Sequence, residues 1–259
     1  MLYIHENNLK TKIKENYNGK AAEIQNLYDS VYIPMRREIE TLTFSDSNPI
    51  AFTRAAEIFN EYYEYLNTFS SVHGISSQSK FASTFLEEIS AYLFKDLPDI
   101  ISNTLGVFNK GIYAGLKING RRQIEIIKKD VDFCIGKEVS ITIDNQQPST
   151  LIIPVVAVEV KTYLDATMFG EVKSSSRSIK SASPNSRTYV LMSYKNIANK
   201  HIIAARQDSV LNEIFVLRAN EHSPMDATTI FEYWKEINTA VTELSNDDSI
   251  NVPGRLLKP

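Results

Sequence analysis

The stretch from Leu151 to Leu164, LIIPVVAVEVKTYL, limits the architectures open to this chain more than any other. A near-continuous Val/Ile run of strand length needs cover on both faces, as in a sheet with helices on either side. Yet this run contains Glu159 and Lys161. Residues two apart on a strand share a face, so an acid and a base project together from an element that otherwise excludes charge. The plain explanation is an ion pair at a sheet end. Charges inside such a run are rare unless paired, so the pair is also a candidate for chemistry.

Two more acids share the i, i+2 spacing. Asp130 and Asp132 stand in KKDVDFCIG, and Asp132 precedes Glu159 by 27 residues. Either one, taken alone, reads as turn or edge-strand chemistry. A strand beside Leu151–Leu164 would bring one of them to the same point as Glu159. Two carboxylates so placed bind Mg²⁺ through oxygen and leave most of its six positions to waters and a phosphate. Such an ion polarises a phosphodiester and acidifies a bound water, while a lysine holds that water or stabilises the pentavalent phosphorane.

The flanking sequence supplies the other layers. The first 70 residues read as helices, with Ile24, Leu27, Val31, Ile39 and Leu42 and then Ala55, Ile58, Phe59, Tyr62, Tyr63 and Leu66 at helical spacing. The polar, small stretch SSVHGISSQS (70–79) reads as a loop or junction. In the helix expected after it, Phe81, Phe85, Ile89 and Tyr92 form a stripe, with Glu88 beside it and Glu87 turned away. GIYAGLKI, RQIEII and VDFCI read as antiparallel strands, DATMFGEVKSSSRSIKSA as a helix, RTYVLMSY and NEIFVLRA as strands, and ATTIFEYWKEINTAVTEL as a closing helix. In that last helix Phe231, Tyr233 and Trp234 are expected to pack in the core. This is an α/β chain with a central mixed sheet flanked by helices, packed on a helical N-terminal region. The expected units are residues 1–78, helical and serving dimerisation or DNA recognition, and 79–259, catalytic.

Composition removes other classes. A single cysteine, Cys134, excludes a cystine-stapled scaffold and a Cys-rich zinc module, and His5, His73, His201 and His222 lie in no metal-ligating spacing. No GxGxxG, GxxxxGK[ST] or GxSxG occurs. The longest apolar stretch is far short of a membrane span and MLYIHENNLK lacks a signal-peptide core, so a cytoplasmic protein with no membrane partner is expected. Net charge is −3, but residues 109–129 hold six cations against one acid, and 161–187 five against two. Two basic segments around an acidic motif suit a phosphate-binding cleft; solvated surface is the alternative.

Asp132, the 27-residue gap and EVK at 159–161, with a helix on either side, resemble the PD-(D/E)XK nuclease superfamily, to which many type II restriction endonucleases belong. STFLEEISAYLF and EVKTYLDATMF are similar to a subgroup that includes DdeI and BbvCI, cutting sites with a CTNAG-like core. The Pro of the motif is absent, since Lys129 precedes Asp130 and Val131 precedes Asp132. The resemblance implies a nuclease fold and Mg²⁺-dependent, site-specific hydrolysis of double-stranded DNA. It implies Asp132 and Glu159 as metal-binding acids, Lys161 as the catalytic lysine, Asp130 as the alternate first acid, and Glu88 as an acid reaching the metal through water. It also implies a homodimer, or a heterodimer with a related subunit that cuts one strand per chain. Arg121, Arg122, Lys128 and Lys129 would then grip DNA backbone on one side, with Arg177, Lys180 and Arg187 on the other as the better candidates for base readout. The rival readings are a non-catalytic DNA-binding or assembly protein on a nuclease-like scaffold, and an unrelated α/β protein whose charges form a structural network.

Overall fold

The structure is a computed structural model that describes residues 2–143, 147–208 and 210–245, so the end of the expected catalytic unit, 246–259, lies outside the described residues. Helices α1 (Ile4–Lys14), α2 (Ala21–Leu27), α3 (Ile33–Thr41) and α4 (Pro49–Val72) come first. A π-helical turn, Tyr28–Tyr32, joins α2 to α3. Helix α5 (Phe81–Leu93) follows the polar loop, and α6 (Pro98–Ile101) is a short turn. Then come β1 (Gly106–Phe108), β2 (Ile112–Ile118), β3 (Ile124–Lys129), β4 (Phe133–Ile141), β5 (Ser149–Leu164), α7 (Ala166–Ala182), β6 (Arg187–Lys195), α8 (Asn199–Asp208), β7 (Glu213–Val216) and α9 (Ala227–Ser245).

The central sheet is mixed, in the order β1-β4-β5-β6-β7. Strands β4 and β5 are antiparallel, with Phe133 opposite Val158, whereas β5, β6 and β7 run parallel. The run that begins at Leu151 is the central strand, as its apolar content requires. Val156, Val158 and Val160 pack into the core shared with the helices; Ala157 belongs to a second cluster with Ile112, Val131, Cys134 and Ile179 beneath α7. Strands β2 and β3 are antiparallel, as their sequences suggest, and form a two-stranded ribbon separate from the central sheet. Between Ile135 and Gly136 the β4–β5 register slips, and a Cβ at Gly136 would meet the Ile153 carbonyl at 2.5 Å. Only glycine allows the strands to close at that bulge.

The core runs without a break across position 78. Leu9, Tyr32, Phe59 and Tyr62 of the N-terminal helices belong to the same cluster as Phe85 of α5, Phe133 of β4, Val158 of β5 and Tyr233 and Trp234 of α9. Tyr233 and Trp234 of α9 are buried as expected, and the partly buried Phe231 packs its ring against Phe52 at 5.0 Å.

Candidate active site

Alternation along β5 sends Val158 and Val160 into the helical core and turns Glu159 and Lys161 the opposite way. Asp132 stands immediately before the first β4–β5 pair, so its carboxylate meets the same edge. Its Oδ2 accepts from the backbone N–H of Val160 at 2.7 Å and from Lys161 Nζ at 3.2 Å. Lys161 Nζ also donates to Glu159 Oε2 at 3.0 Å, and Ser175 of α7 donates to Glu159 Oε1 at 3.1 Å. One ammonium thus joins two carboxylates, each of which is oriented by a further donor. Side-chain exposures of 28% for Asp132, 15% for Glu159 and 28% for Lys161 leave the cluster open to a ligand on one side. Burial works to lower the pKa of Lys161, but the charges of Asp132 and Glu159 more than offset it, so the amine is held charged.

Asp130 does not join this cluster. Its exposed carboxylate accepts from the backbone N–H of Gly111 at 2.9 Å and ties down the turn at Lys110–Gly111.

Glu88 requires a correction. It is fully buried among the N-terminal helices and accepts from the N–H groups of His5 (2.7 Å) and Glu6 (3.2 Å) and the hydroxyls of Tyr32 (2.8 Å) and Tyr92 (2.6 Å). The helix acid that senses the cluster is Glu87. Burial first, and the negative charge of Asp132 second, push its carboxyl up to about 7, against the opposing pull of Lys161, Lys80 and Lys110. The apolar stripe of α5 packs on α1 and α4, with Phe85 against His5, Phe59 and Tyr62. The helix face turned from that stripe therefore meets strands β4 and β5.

Sequence reasoning also passed over Ser175, Lys80 and Lys110. The two lysines share one local signal, a left-handed backbone without glycine at φ 62° and 65°, the kind of strain that tends to collect at functional sites.

The basic runs are placed differently from expectation. Arg121 and Arg122 are exposed in the turn between β2 and β3, six strand positions beyond the ribbon's first pair, or about 20 Å away at 3.3 Å per residue. Lys128 Nζ donates to the Thr150 carbonyl, nine residues ahead of Glu159 on β5, and Lys129 opposes Ile112 at the ribbon's base. The ribbon thus leads away from the cluster along the β4–β5 pair. Arg187 lies level with Val156, five residues short of Lys161, and is ion-paired to Glu243 at 2.7 Å. Lys180 sits near it, its pKa lowered by burial and by the charge of Arg187. Arg177 lies on α7, two residues past Ser175 and exposed. Lys180 and Arg187 therefore sit together at the start of β6, level with the middle of β5 and five strand positions from Lys161, away from the flank of the site where the sequence reading expects them.

A titration follows from Glu87. Because its folded pKa is raised, ionisation is disfavoured in the folded state, and the stability of the metal-free protein should decline as pH rises from about 4.5 to about 7. Glu87→Gln should reduce that decline; thermal melts in EDTA across this range check it, and an unaltered slope would show that Glu87 does not sense Asp132.

The fold has counterparts among known proteins. A model of the Bpu10I restriction endonuclease family matches residues 78–243. A solved structure described as the native BbvCI A2B2 tetramer at low resolution superposes with a TM-score of 0.74 at 17% identity, covering 97% of this chain and 100% of that one. No curated protein matches.

Proposed function

Because the chain belongs to the Bpu10I restriction endonuclease family, and is thereby a site-specific endodeoxyribonuclease, we propose that it hydrolyses double-stranded DNA with Mg²⁺ held by Asp132 and Glu159 and with Lys161 as the catalytic lysine. The observation that carries this reading is the shared ammonium: Lys161 Nζ lies 3.2 Å from Asp132 and 3.0 Å from Glu159 at a half-open sheet edge. A purely structural pair would need one acid, whereas this edge gathers two, with Glu87 near enough to feel the charges of Asp132 and Lys161.

The donor set fits the ion. Among the described residues no three carboxylate, histidine or cysteine groups converge as a closed cage. Two oxygen-bearing arms open to solvent are nevertheless what Mg²⁺ takes, since it keeps waters and substrate phosphate as its other ligands. When bound, the ion would polarise the scissile phosphate and acidify a water. The chain's own groups do the rest. The Val160 N–H fixes the Asp132 carboxylate, Ser175 fixes that of Glu159, and Lys161 orients the attacking water or takes up charge on the phosphorane. Glu87, not Glu88, is the helix acid in this reading. Lys80 and Lys110 meet phosphates beside the cut, and Arg121, Arg122, Lys128 and Lys129 reach backbone further along.

Assembly belongs to the same proposal. A duplex has two strands and this chain presents one such cluster among the described residues, so a second subunit supplies the other. The A2B2 composition of the BbvCI structure favours a related but unlike subunit over a second copy. The helical N-terminal region is the proposed contact surface. No described helix is long and apolar enough to cross a membrane.

Supercoiled plasmid incubated with the purified chain tests both parts. Cleavage in Mg²⁺ that EDTA abolishes is expected, ending at nicked circles when the chain acts alone. Linear product from the isolated chain would replace the unlike subunit with a second copy; no cleavage in Mg²⁺, with or without a candidate partner, would favour the scaffold reading.

A further inference from the structure

The sequence pairs Asp130 with Asp132, and only Asp132 enters the cluster. Asp130 is exposed at the end of a basic run, where a carboxylate repels DNA, so its presence wants a reason. Its Oδ1 accepts from the backbone N–H of Gly111 at 2.9 Å. The N–H of Lys110 donates to the carbonyl of Val131, the residue that precedes Asp132, also at 2.9 Å. These two bonds close the place where the chain leaves the central sheet after β1 for the ribbon, beside the place where it returns before β4.

The turn they hold is an unfavourable one. Lys110 and Gly111 both have left-handed backbones, at φ 65° and 61°. Glycine adopts that conformation freely and asparagine tolerates it, whereas the Cβ of a lysine is crowded there. Asn109 stands one position too early to take the strained place. A costly conformation persists only where its surroundings enforce it, and such residues collect where function requires the side chain.

Strand register says where that side chain is. In the β1–β4 pair Phe108 is opposite Cys134, so two more residues on each strand bring Lys110 level with Asp132. Phe133 is opposite Val158, so one more step sets Asp132 level with Glu159. Lys110, Asp132 and Glu159 thus cross the ends of three neighbouring strands, at about 4.8 Å per strand. The lysine is exposed, on the β1 side of the cluster. The acids around it are engaged elsewhere: Asp132 by the Val160 N–H and Lys161, and Asp130 by Gly111. Glu87 feels Lys161 and Lys80 more strongly than Lys110. Among the described residues Lys110 is in no ion pair.

We propose that Asp130 is a positioning residue: through the Gly111 N–H it holds the left-handed turn, and the turn keeps the Lys110 ammonium on the DNA phosphate next to the one that is cut. This rests on the nuclease reading, gives Asp130 a part in it that needs no metal, and accounts for an acid so close to DNA.

The experiment measures binding in Ca²⁺ against salt, on a duplex whose site has been mapped by sequencing plasmid cuts. Lys110→Gly and Lys110→Asn, both suited to a left-handed backbone, should each lower the slope of log affinity against log salt by about 0.9, with thermal melts as the folding control. Asp130→Ala should lower it by a like amount, although on charge alone the loss of an acid would tighten binding. Asp130→Asn removes the same charge but keeps an oxygen for the Gly111 N–H, so it should retain the wild-type slope. Asp130→Ala combined with Lys110→Gly should be no worse than Lys110→Gly alone, because both act on one contact. An unchanged slope in the Lys110 variants overturns the proposal, as do effects that add in the double variant. So does an Asp130→Asn that binds as poorly as Asp130→Ala, or one that needs more Mg²⁺ for cleavage, the mark of a metal ligand. A wild-type protein that binds no DNA removes the nuclease reading and this inference with it, whereas normal wild-type binding with any of these negative results removes this inference alone.

Discussion

Replacing Lys161 by alanine should slow cleavage by at least a hundred-fold, and on the order of a thousand-fold, while most DNA affinity in Ca²⁺ survives. The amine touches both Asp132 and Glu159, so its loss removes the group poised to orient water and to meet charge on the phosphorane. A single preorganised donor at a transition-state charge is worth roughly that factor. Affinity depends mainly on phosphate contacts elsewhere, so binding should change little. Glu159→Ala should match it in cleavage and also leave the Ser175 hydroxyl without its acceptor. Single-turnover cleavage with thermal melts as a folding control decides the matter; either variant retaining wild-type rates would take the cluster out of the mechanism.

Glu88→Ala should be the most destabilising of the acid substitutions considered, by about 3–5 kcal/mol. Its carboxylate closes the N-terminus of α1 from another helix, taking the N–H groups of His5 and Glu6, and it also ends the hydroxyls of Tyr32 and Tyr92. Burial pushes this carboxyl up to about 7, opposed by those same hydrogen bonds. Beside it His5, pushed down to about 3 by burial, stays uncharged and pairs with Thr84 at 2.9 Å and Tyr62 at 2.8 Å. Removing Glu88 leaves hydroxyls and first-turn N–H groups in a dry core without an acceptor, which is the costly half of any hydrogen-bond deletion. Against a total stability of about 5–15 kcal/mol, the shift should be plain in urea or thermal unfolding. Glu88→Gln, which keeps the shape and one oxygen, should lose less. A near-neutral Glu88→Ala would show that the network is not closed in solution.

These two acids show where sequence reasoning reached and where it stopped. Glu87 and Glu88 are neighbours on one helix, and periodicity places them about 100° apart. It does not say which side of α5 meets the sheet. That helix lies between α1 and α4 on one side and the strands on the other, so both faces are covered. The more apolar face points to the aromatic residues of the N-terminal helices. The π-helical turn at Tyr28–Tyr32, invisible as a pattern, belongs to the segment that carries the Tyr32 hydroxyl to Glu88.

The basic segments mark a similar boundary. Charge counts located them, but the direction of the ribbon was set by tertiary contacts: Asp130 on Gly111 at its base and Lys128 on Thr150 along its length.

What the sequence determined by itself was local and periodic. The apolar density of the run beginning at Leu151 required a central strand, and period-two geometry placed Glu159 and Lys161 on one face of it. Asp132, at the start of the apolar run Phe133–Ile135, was therefore available to the neighbouring strand. What only the tertiary structure decided was every choice between two faces or two directions: Glu87 over Glu88, Asp132 over Asp130 in contact with Lys161, and the path of the ribbon. Periodicity is a property of one element, whereas the side that is buried, and by what, is settled by the elements packed against it.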